Sequence, residues 1–205
     1  MDYRAEFDKD GNIENLPIRD NSAPSDLFKY WSGNNWWGYS PKQIRWFAQD
    51  ALNAEKDWNY VFFSHMGIDR QTASYGFNTL SGDSLRELIY SFQTRSVYKG
   101  QDASIDFKDR TGHILSYQFG HIHNELTLYS EDLNLWQICT SSANAGQCAD
   151  RSIEDTHLND KSLDWKIYER KVGSNSSYCF DIMSVCDKSI DKLAFGAGCS
   201  KKLEY

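Results

Sequence analysis

Apolar residues spaced three and four positions apart predict two amphipathic helices in this chain. The first begins after Ser40, which can act as its N-cap, and ends before Lys56. The second begins near Ser84, where Glu87 completes a capping box. The two apolar faces consist of Ile44, Phe47, Ala48, Ala51 and Leu52 in the first helix and Leu85, Leu88, Ile89 and Phe92 in the second. We therefore expect each helix to bury one face against a sheet.

Short runs of aromatic and β-branched residues predict the strands of that sheet. Asn59–Phe63 and Ile114–Phe119 are apolar enough to be buried on both faces. Further strands are predicted at 103–107, 126–129, 135–139, 178–185 and 192–195, the last two as a closing antiparallel hairpin. Strands that alternate with helices predict an α/β domain built on a mixed sheet with crossover helices.

The main domain is expected at 40–205, and residues 1–39 are expected to form an irregular N-terminal segment of the same domain. A short hairpin is predicted across Asp10–Gly11. The aromatic and glycine cluster at Tyr30–Tyr39 has two interpretations: it stacks on a planar substrate, or its own rings hold a loop in place. We favour the second interpretation.

The composition indicates a globular domain, because 40% of the 205 residues are hydrophobic and 15% are aromatic. The net charge of −7 is spread along the chain without a basic stripe, which argues against nucleic-acid binding. The 5 cysteines include no CxxC pair and predict reduced thiols. The sequence has neither a signal peptide nor an apolar run of about 18 residues, so we expect a cytoplasmic protein that does not bind a membrane.

Three histidines carry the candidate chemistry. His65 follows the first buried strand, and His121 and His123 follow the second, after Gly120. His121 and His123 are two positions apart and leave that strand on the same side, while Gly120 permits a tight turn and a close approach to a ligand. If the two strands are parallel, all three imidazoles lie at the carboxyl edge of one sheet, where α/β folds bind ligands. A transition-metal site is one interpretation of these residues, and three exposed or structural histidines are the other.

These motifs resemble the C-terminal half of the calcineurin-like metallophosphoesterases, in a phage and bacterial branch, over roughly residues 40–205. The resemblance rests on Ser64-His65, Gly120-His-Ile-His123 and the segments Gly82–Phe92, Phe180–Val185 and Phe195–Gly198. It implies half of a four-layer α/β/β/α sandwich and, in the intact family, two Mn, Fe or Zn ions about 3.5–4 Å apart. By the same resemblance, His65 and His121 would bind one metal and His123 the other.

The N-terminal metal motifs of that family, D-x-H, G-D-x-x-D and G-N-H-[DE], do not appear ahead of His65. Asp69 and Asp83 follow that histidine, and Asp155-Thr-His157 spells D-x-H only after the G-H-x-H motif. Three imidazoles bring no negative charge to hold two dications close together. We therefore expect at most one divalent metal ion on this chain alone.

The resemblance implies a metal-dependent phosphoester hydrolase of which this chain supplies the C-terminal half, with weak or absent activity alone. Such a half is a truncated chain, one product of a split gene or a degenerate remnant. The alternative is a non-catalytic, phage-associated or structural module that retains the phosphoesterase fold. Expected partners are a phosphoester substrate and either the missing N-terminal half or a second copy, because half of a sheet exposes an apolar edge and face.

Overall fold

A computed structural model describes most of the predicted elements. It covers residues 6–7, 13–14, 39, 41–65, 67–68, 82–100, 103–120, 125–140, 173–186 and 188–205. The following predictions fall outside the described residues: His121 and His123, the Asp155–His157 motif and the aromatic cluster before Tyr39.

Eleven strands, two α-helices and one short 3₁₀ helix (Asn175–Ser177) are present in this part of the chain. In chain order the strands are β1 (Glu6–Phe7), β2 (Ile13–Glu14), β3 (Tyr60–Phe63), β4 (Val97–Lys99), β5 (Ser104–Asp106), β6 (Ile114–Phe119), β7 (Leu126–Ser130), β8 (Leu135–Cys139), β9 (Cys179–Val185), β10 (Ser189–Gly196) and β11 (Lys201–Glu204). The helices are α1 (Pro41–Trp46), which continues as a π-helical turn (Phe47–Ala51), and α2 (Gly82–Gln93).

Both helices are present, and the first begins at Pro41, as predicted. The predicted end of the first helix and the predicted N-cap of the second were wrong. The first ends at Ala51, several residues before Lys56, in a π-helical turn closed by the bond from Leu52 N to Phe47 O at 2.9 Å. Residues five apart lie on different faces of an α-helix, and the wider turn lets Phe47 and Leu52 share the buried face. The second helix begins at Gly82, so Ser84 lies in its first turn and does not act as the N-cap.

The central sheet confirms the prediction of a mixed sheet. Its strand order is β3-β6-β8-β7. The first three strands are parallel, and β7 pairs antiparallel with β8 at one edge. The two histidine-bearing strands are parallel neighbours, so both end at one edge of one sheet, as predicted, and Phe62 lies opposite Tyr117 in the register of β3 and β6.

The helices pack on one face of this sheet, and its other face meets a second sheet. The helix side is an apolar cluster in which Leu88 and Phe92 of α2 are fully buried together with Tyr117 of β6. On the opposite side, Ile138 of β8 is buried against Ile190 of β10 and is fully enclosed. The central sheet is thus buried on both faces, as the apolar runs at 114–119 and 135–139 require.

The second sheet is three-stranded, in the order β11-β10-β9, and contains the predicted closing hairpin. The hairpin is confirmed, although β10 begins at Ser189, before the predicted start at Lys192. Strand β11 was not predicted because its sequence is mostly charged. It is held by antiparallel pairing with β10 and by the bond from Trp136 Nε1 to Glu204 O at 2.9 Å.

Two short hairpins complete the described part of the chain. The pairing of β1 with β2 confirms the hairpin predicted in the N-terminal segment. The strand predicted at 103–107 is present as β5, but it pairs with β4 in a sheet of its own. Phe107 beyond β5 is buried against Phe92, with ring centroids 5.3 Å apart, so this hairpin packs on α2. The fold is mixed α/β, and the four-layer sandwich stays a prediction.

Candidate functional site

The carboxyl ends of β3, β6 and β8 meet at one edge of the central sheet. Ser64 N donates to Gln118 O at 2.9 Å, and Gly120 N donates to His65 O at 3.1 Å. Cys139, the last residue of β8, points its Sγ at Gly120 O from 3.5 Å. The backbone of His65 therefore lies beside the residue that precedes His121, as the sequence predicted for the strand ends.

Of the three predicted metal ligands, only His65 is among the described residues, and its side chain is exposed. His121 and His123 lie outside them, so the distances between the three imidazoles are not defined. Within the ranges given above, no group of three or more His, Cys, Asp or Glu side chains is arranged to hold a metal ion. The backbone brings the predicted positions together, and the ligand geometry stays a prediction.

Gly120 is not required by its described surroundings. A Cβ placed there would lie 4.0 Å from His65 O, an ordinary contact, and the residue does not have a positive φ. The described backbone therefore gives no reason for a glycine at this position, and the tight turn stays a prediction because residues 121–124 lie outside the described ranges. A close approach of a ligand to this backbone remains a prediction.

A network of hydroxyl groups lies beneath the same edge on the helix side. Tyr39 Oη bonds to Ser64 Oγ at 2.8 Å and to Tyr117 Oη, and both tyrosines are buried. Burial raises the pKa of Tyr39, and its bonds to Ser64 and Tyr117 oppose that rise. This network fixes the end of β3 immediately before His65. Tyr39 belongs to the aromatic cluster, and its burial agrees with a structural role for that residue.

A buried ionic cluster that was not predicted from the sequence consists of Glu125, Asp181 and Lys192. Lys192 Nζ lies 3.2 Å from Glu125 Oε2 and 3.4 Å from Asp181 Oδ2, and it donates to Cys199 O at 3.1 Å. The side-chain exposures of Lys192, Glu125 and Asp181 are 0%, 1% and 2%. The cluster joins the second sheet to the residue that precedes β7, two positions after His123.

Further contacts neutralise Glu125. Its Oε2 accepts from Cys199 N at 3.1 Å, and its Oε1 lies 3.9 Å from Lys201 Nζ. Neither Glu125 Oε1 nor the carboxylate oxygens of Asp181 has a hydrogen bond from the described residues, so ion pairing is their main compensation. Burial raises the pKa of Asp181, whereas Lys192 lowers it.

The charges of the ionic cluster also act on Cys139, which lies at the carboxyl edge of the central sheet. Burial raises the pKa of its thiol well above the usual range, Glu125 and Asp181 raise it further, and Lys192 opposes them. Because metals and electrophiles react with the thiolate, Cys139 is a poor ligand and a poor nucleophile. Its side chain packs at the edge of the sheet and neither binds a metal nor acts as a nucleophile.

The alternation of inward and outward positions along β9 and β10 does indicate part of this cluster. In β9, Asp181 occupies the same face as buried Cys179, and in β10, Lys192 occupies the same face as buried Ile190. Both charged residues therefore stand at inward positions. Glu125 directly precedes an apolar strand, and nothing in its immediate sequence indicates burial.

His113 directly precedes β6 and lies at the opposite edge of the sheet from His65. Its carbonyl accepts from Tyr60 N at 2.8 Å, at the start of β3. Burial and the neighbouring Arg95 lower its pKa, which disfavours the charged imidazolium. It provides a matched control for the histidines at the carboxyl edge.

Comparison with known proteins does not assign this chain. No protein-family model matches it, and no curated protein matches its sequence. Among the helices of the described ranges, none has the length and apolar character needed to cross a bilayer.

Proposed function

We propose that this protein is a metal-dependent phosphoester hydrolase of the calcineurin-like type, contributing the C-terminal half of the catalytic fold. The observation that carries the proposal is the bond from Gly120 N to His65 O, 3.1 Å long, between two parallel strands that both end in histidine motifs. Carboxyl edges of parallel strands are where α/β proteins bind ligands. The complete four-layer sandwich belongs to this proposal.

The residues we assign to the metal are His65, His121 and His123. The exposed position of His65 and its backbone contact with Gly120 fit a site at the surface of this edge. Imidazole suits Zn²⁺ and related transition metals. A bound divalent ion would supply positive charge for the oxygens of a phosphoester in a protein whose net charge is −7.

We propose that the chain alone binds one metal ion and has little or no phosphatase activity. Glu125, the first carboxylate after His123, is engaged by Lys192 at 3.2 Å and by Cys199 N at 3.1 Å. It is therefore not available to compensate a second dication. Cys139 at the same edge has a raised pKa and carries no charge at neutral pH.

A non-catalytic module that retains the phosphoesterase fold is the second candidate. The Glu125–Lys192 pair favours it, because a lysine fills the position next to that carboxylate with its own positive charge. In that case metal binding would be absent, or present without turnover even when the missing motifs are supplied by another chain.

Metal content tests the site. The purified protein is loaded with Zn²⁺ or Mn²⁺, desalted and analysed beside a His121→Ala, His123→Ala double variant and a His113→Ala control. We expect about one ion per chain in the wild type and in the control, and loss of it in the double variant. Equal metal content in all three proteins would refute the assignment to these histidines.

Activity separates the two candidates. The metal-loaded chain is assayed on a generic aryl phosphodiester, alone and together with a chain that carries D-x-H, G-D-x-x-D and G-N-H-[DE] motifs. We expect turnover only in the mixture, and only with His121 and His123 intact. Metal binding without turnover in either assay would favour the non-catalytic module.

A further inference from the structure

The side chains of Lys192 and Asp181 come from neighbouring strands and meet inside the protein. In the register of β9 and β10, Lys192 lies opposite Met183. Asp181 lies opposite Ala194, two positions along, so Lys192 and Asp181 are diagonal neighbours on the inward face. Diagonal neighbours in a sheet are about 7–8 Å apart, a distance that a long side chain spans. Lys192 Nζ lies 3.4 Å from Asp181 Oδ2, and the two side chains are 0% and 2% exposed. An amine and a carboxyl group are therefore held in contact away from water.

The two carboxyl groups that face Lys192 have different surroundings. Glu125 Oε2 accepts from Cys199 N at 3.1 Å, and Glu125 Oε1 lies 3.9 Å from Lys201 Nζ, so several contacts compensate its negative charge. Neither oxygen of Asp181 has a hydrogen bond from the described residues. Burial raises the pKa of Asp181, although Lys192 lowers it. Asp181 therefore takes up a proton more readily than an exposed aspartate does, and a protonated carboxyl group is the form that an amine converts to an amide.

The segment after β10 orients both Glu125 and the amine. Cys199 donates its N–H to Glu125 Oε2, and its carbonyl accepts from Lys192 Nζ at 3.1 Å. A Cβ at Gly198, whose φ is +156°, would lie only 3.2 Å from Glu125 Oε2, so the absence of a side chain lets this backbone come close. Lys192 Nζ lies 3.2 Å from the same Glu125 oxygen. Groups that are oriented in this way before a reaction have a high effective concentration.

We propose that Lys192 and Asp181 form an intramolecular isopeptide bond, which is an amide between Nζ of the lysine and Cγ of the aspartate. The structure shows the unbonded form, in which the two groups are in contact. The step is a condensation: the ammonium group of Lys192 and the carboxylate of Asp181 become one neutral amide and one water molecule. Nothing is oxidised or reduced, and no further reactant is consumed.

Two proton transfers accompany the new bond. One ammonium proton of Lys192 passes to Asp181 Oδ2, which leaves a neutral amine beside a neutral acid. The lone pair of Nζ then attacks Cγ, and Glu125 Oε2 takes a second proton from the nitrogen. Glu125 passes this proton to the hydroxyl oxygen, and the Cγ–O bond breaks with its electron pair on the departing water. Glu125 begins and ends the sequence as a carboxylate, and burial excludes the bulk water that would favour hydrolysis.

Intact mass spectrometry of the reduced full chain tests the proposal. Freshly refolded protein should have the full mass, and a species lighter by one water molecule should accumulate while the folded protein is incubated. The lighter species should not form in urea. Trypsin cuts after Lys188, between the two residues, yet 172–188 should stay joined to 189–201, because the modified Lys192 is no longer cleaved. Fragmentation of the joined peptides should locate the link at Asp181 and Lys192.

The chain contains a matched control in the exposed ion pair of Lys108 and Asp106. Lys108 Nζ lies 3.1 Å from Asp106 Oδ2, which is closer than in the buried pair, and the two side chains are 68% and 44% exposed. If contact alone were sufficient, this pair would also become linked. We expect no linked peptide from it, because the pair is exposed to water.

Three variants separate the chemistry from the packing. Asp181→Asn should still form the amide but lose ammonia instead of water, because the leaving group has changed. Lys192→Arg keeps a cation at this position and should keep the full mass, since a guanidinium group is not a nucleophile at neutral pH. Glu125→Gln should slow bond formation at least about 100-fold, because an amide side chain cannot relay the proton. Circular dichroism and thermal melting show whether each variant is folded.

Two results in the wild type would overturn the proposal, whether or not the variants fold. They are a full mass after prolonged incubation of the folded protein, and a link between Lys108 and Asp106 as abundant as the one between Lys192 and Asp181. A rate that Glu125→Gln leaves unchanged would refute the relay by Glu125. The bond requires no metal ion, so the proposal does not rest on the proposed metal site.

Discussion

The two faces of the central sheet are stabilised by different forces. On the helix side, residues such as Leu85, Leu88 and Phe92 are fully buried in a large apolar cluster. On the side of the second sheet, the buried apolar cluster is small, and next to it lies the ionic cluster of Glu125, Asp181 and Lys192. The helix side gains its free energy from area removed from water, and the other side also depends on charge compensation.

The two kinds of contact differ in how strictly they define the packing of each face. Apolar side chains of similar volume can replace one another in a core with modest loss of stability. The ionic cluster permits one arrangement, because a one-residue slip of β10 would turn Lys192 to the outer face and leave two buried carboxylates without a buried cation. We therefore interpret the helix side as the main source of stability and the ionic cluster as the feature that fixes the register of the second sheet.

The largest effect is expected from removing the cation alone. Lys192→Met leaves Glu125 and Asp181 buried without a buried cation and should destabilise the fold by about 3–5 kcal/mol. Urea unfolding followed by circular dichroism measures this change. Lys201→Met is the control, since its side chain is 26% exposed, and it should cost about 1 kcal/mol or less. Similar losses for both variants would contradict the central role of Lys192.

A truncation on the helix side should cost nearly as much. Leu88 is fully buried, and Leu88→Ala should destabilise the protein by about 2–5 kcal/mol through lost apolar contact and the cavity it leaves. The effect should not vary with pH, because the described neighbours of Leu88 in the core cluster are apolar. A loss of stability that changed strongly with pH would contradict the purely apolar stabilisation of the helix side.

Replacing the whole ionic cluster should have a small effect. The triple variant Glu125→Leu, Asp181→Leu, Lys192→Met removes both signs of charge together, and its stability should lie within about 1–2 kcal/mol of the wild type. The residual cost comes mainly from Cys199 N, which loses its acceptor Glu125 Oε2. If the triple variant is as unstable as Lys192→Met, the cluster stabilises the fold by more than the mutual neutralisation of its charges.

The smallest effect is a pH dependence. Burial raises the pKa of Asp181 above its ordinary value of 3.8, so the folded chain binds a proton there more readily than the unfolded chain does. The stability that depends on Asp181 therefore falls as pH rises from that ordinary value through the folded pKa, and is constant above it. Urea unfolding of wild type and Asp181→Asn across this window should show the wild type losing stability relative to the variant. A difference that stays constant with pH would contradict the raised pKa.

The sequence predicted the central sheet well because its strands are long apolar runs. Ile114–Phe119 and Leu135–Cys139 have the predicted bounds, since a strand buried on both faces needs apolar residues throughout. The histidines that follow β3 and β6 predicted that both strands end at one edge of one sheet, and the parallel pairing of the two strands agrees with this. The strand at 103–107 was assigned to the wrong sheet, because its short sequence does not specify a partner.

The ionic cluster could not be predicted with the same rules. A lysine or aspartate in a strand is normally exposed, and Lys192 is buried only because β9, β10 and the residue before β7 come together in space. Inward alternation in β9 and β10 is a local signal, but the meeting with Glu125 depends on packing between sheets. For the metal site, the chain order of His65, His121 and His123 supports an edge site and does not define the angles between their rings.

The parallel pairing of β3 with β6 also limits how early the carboxyl edge can form during synthesis. His113 N donates to Asn59 Oδ1, a residue 54 positions earlier in the chain. At about 5–20 residues per second, the ribosome takes roughly 3–10 s to make that intervening stretch. Until then, β3 has no β6 to pair with, and its apolar side chains are available to chaperones. Nascent chains stalled before and after residue 119 has left the ribosome should therefore differ in the protease resistance of β3.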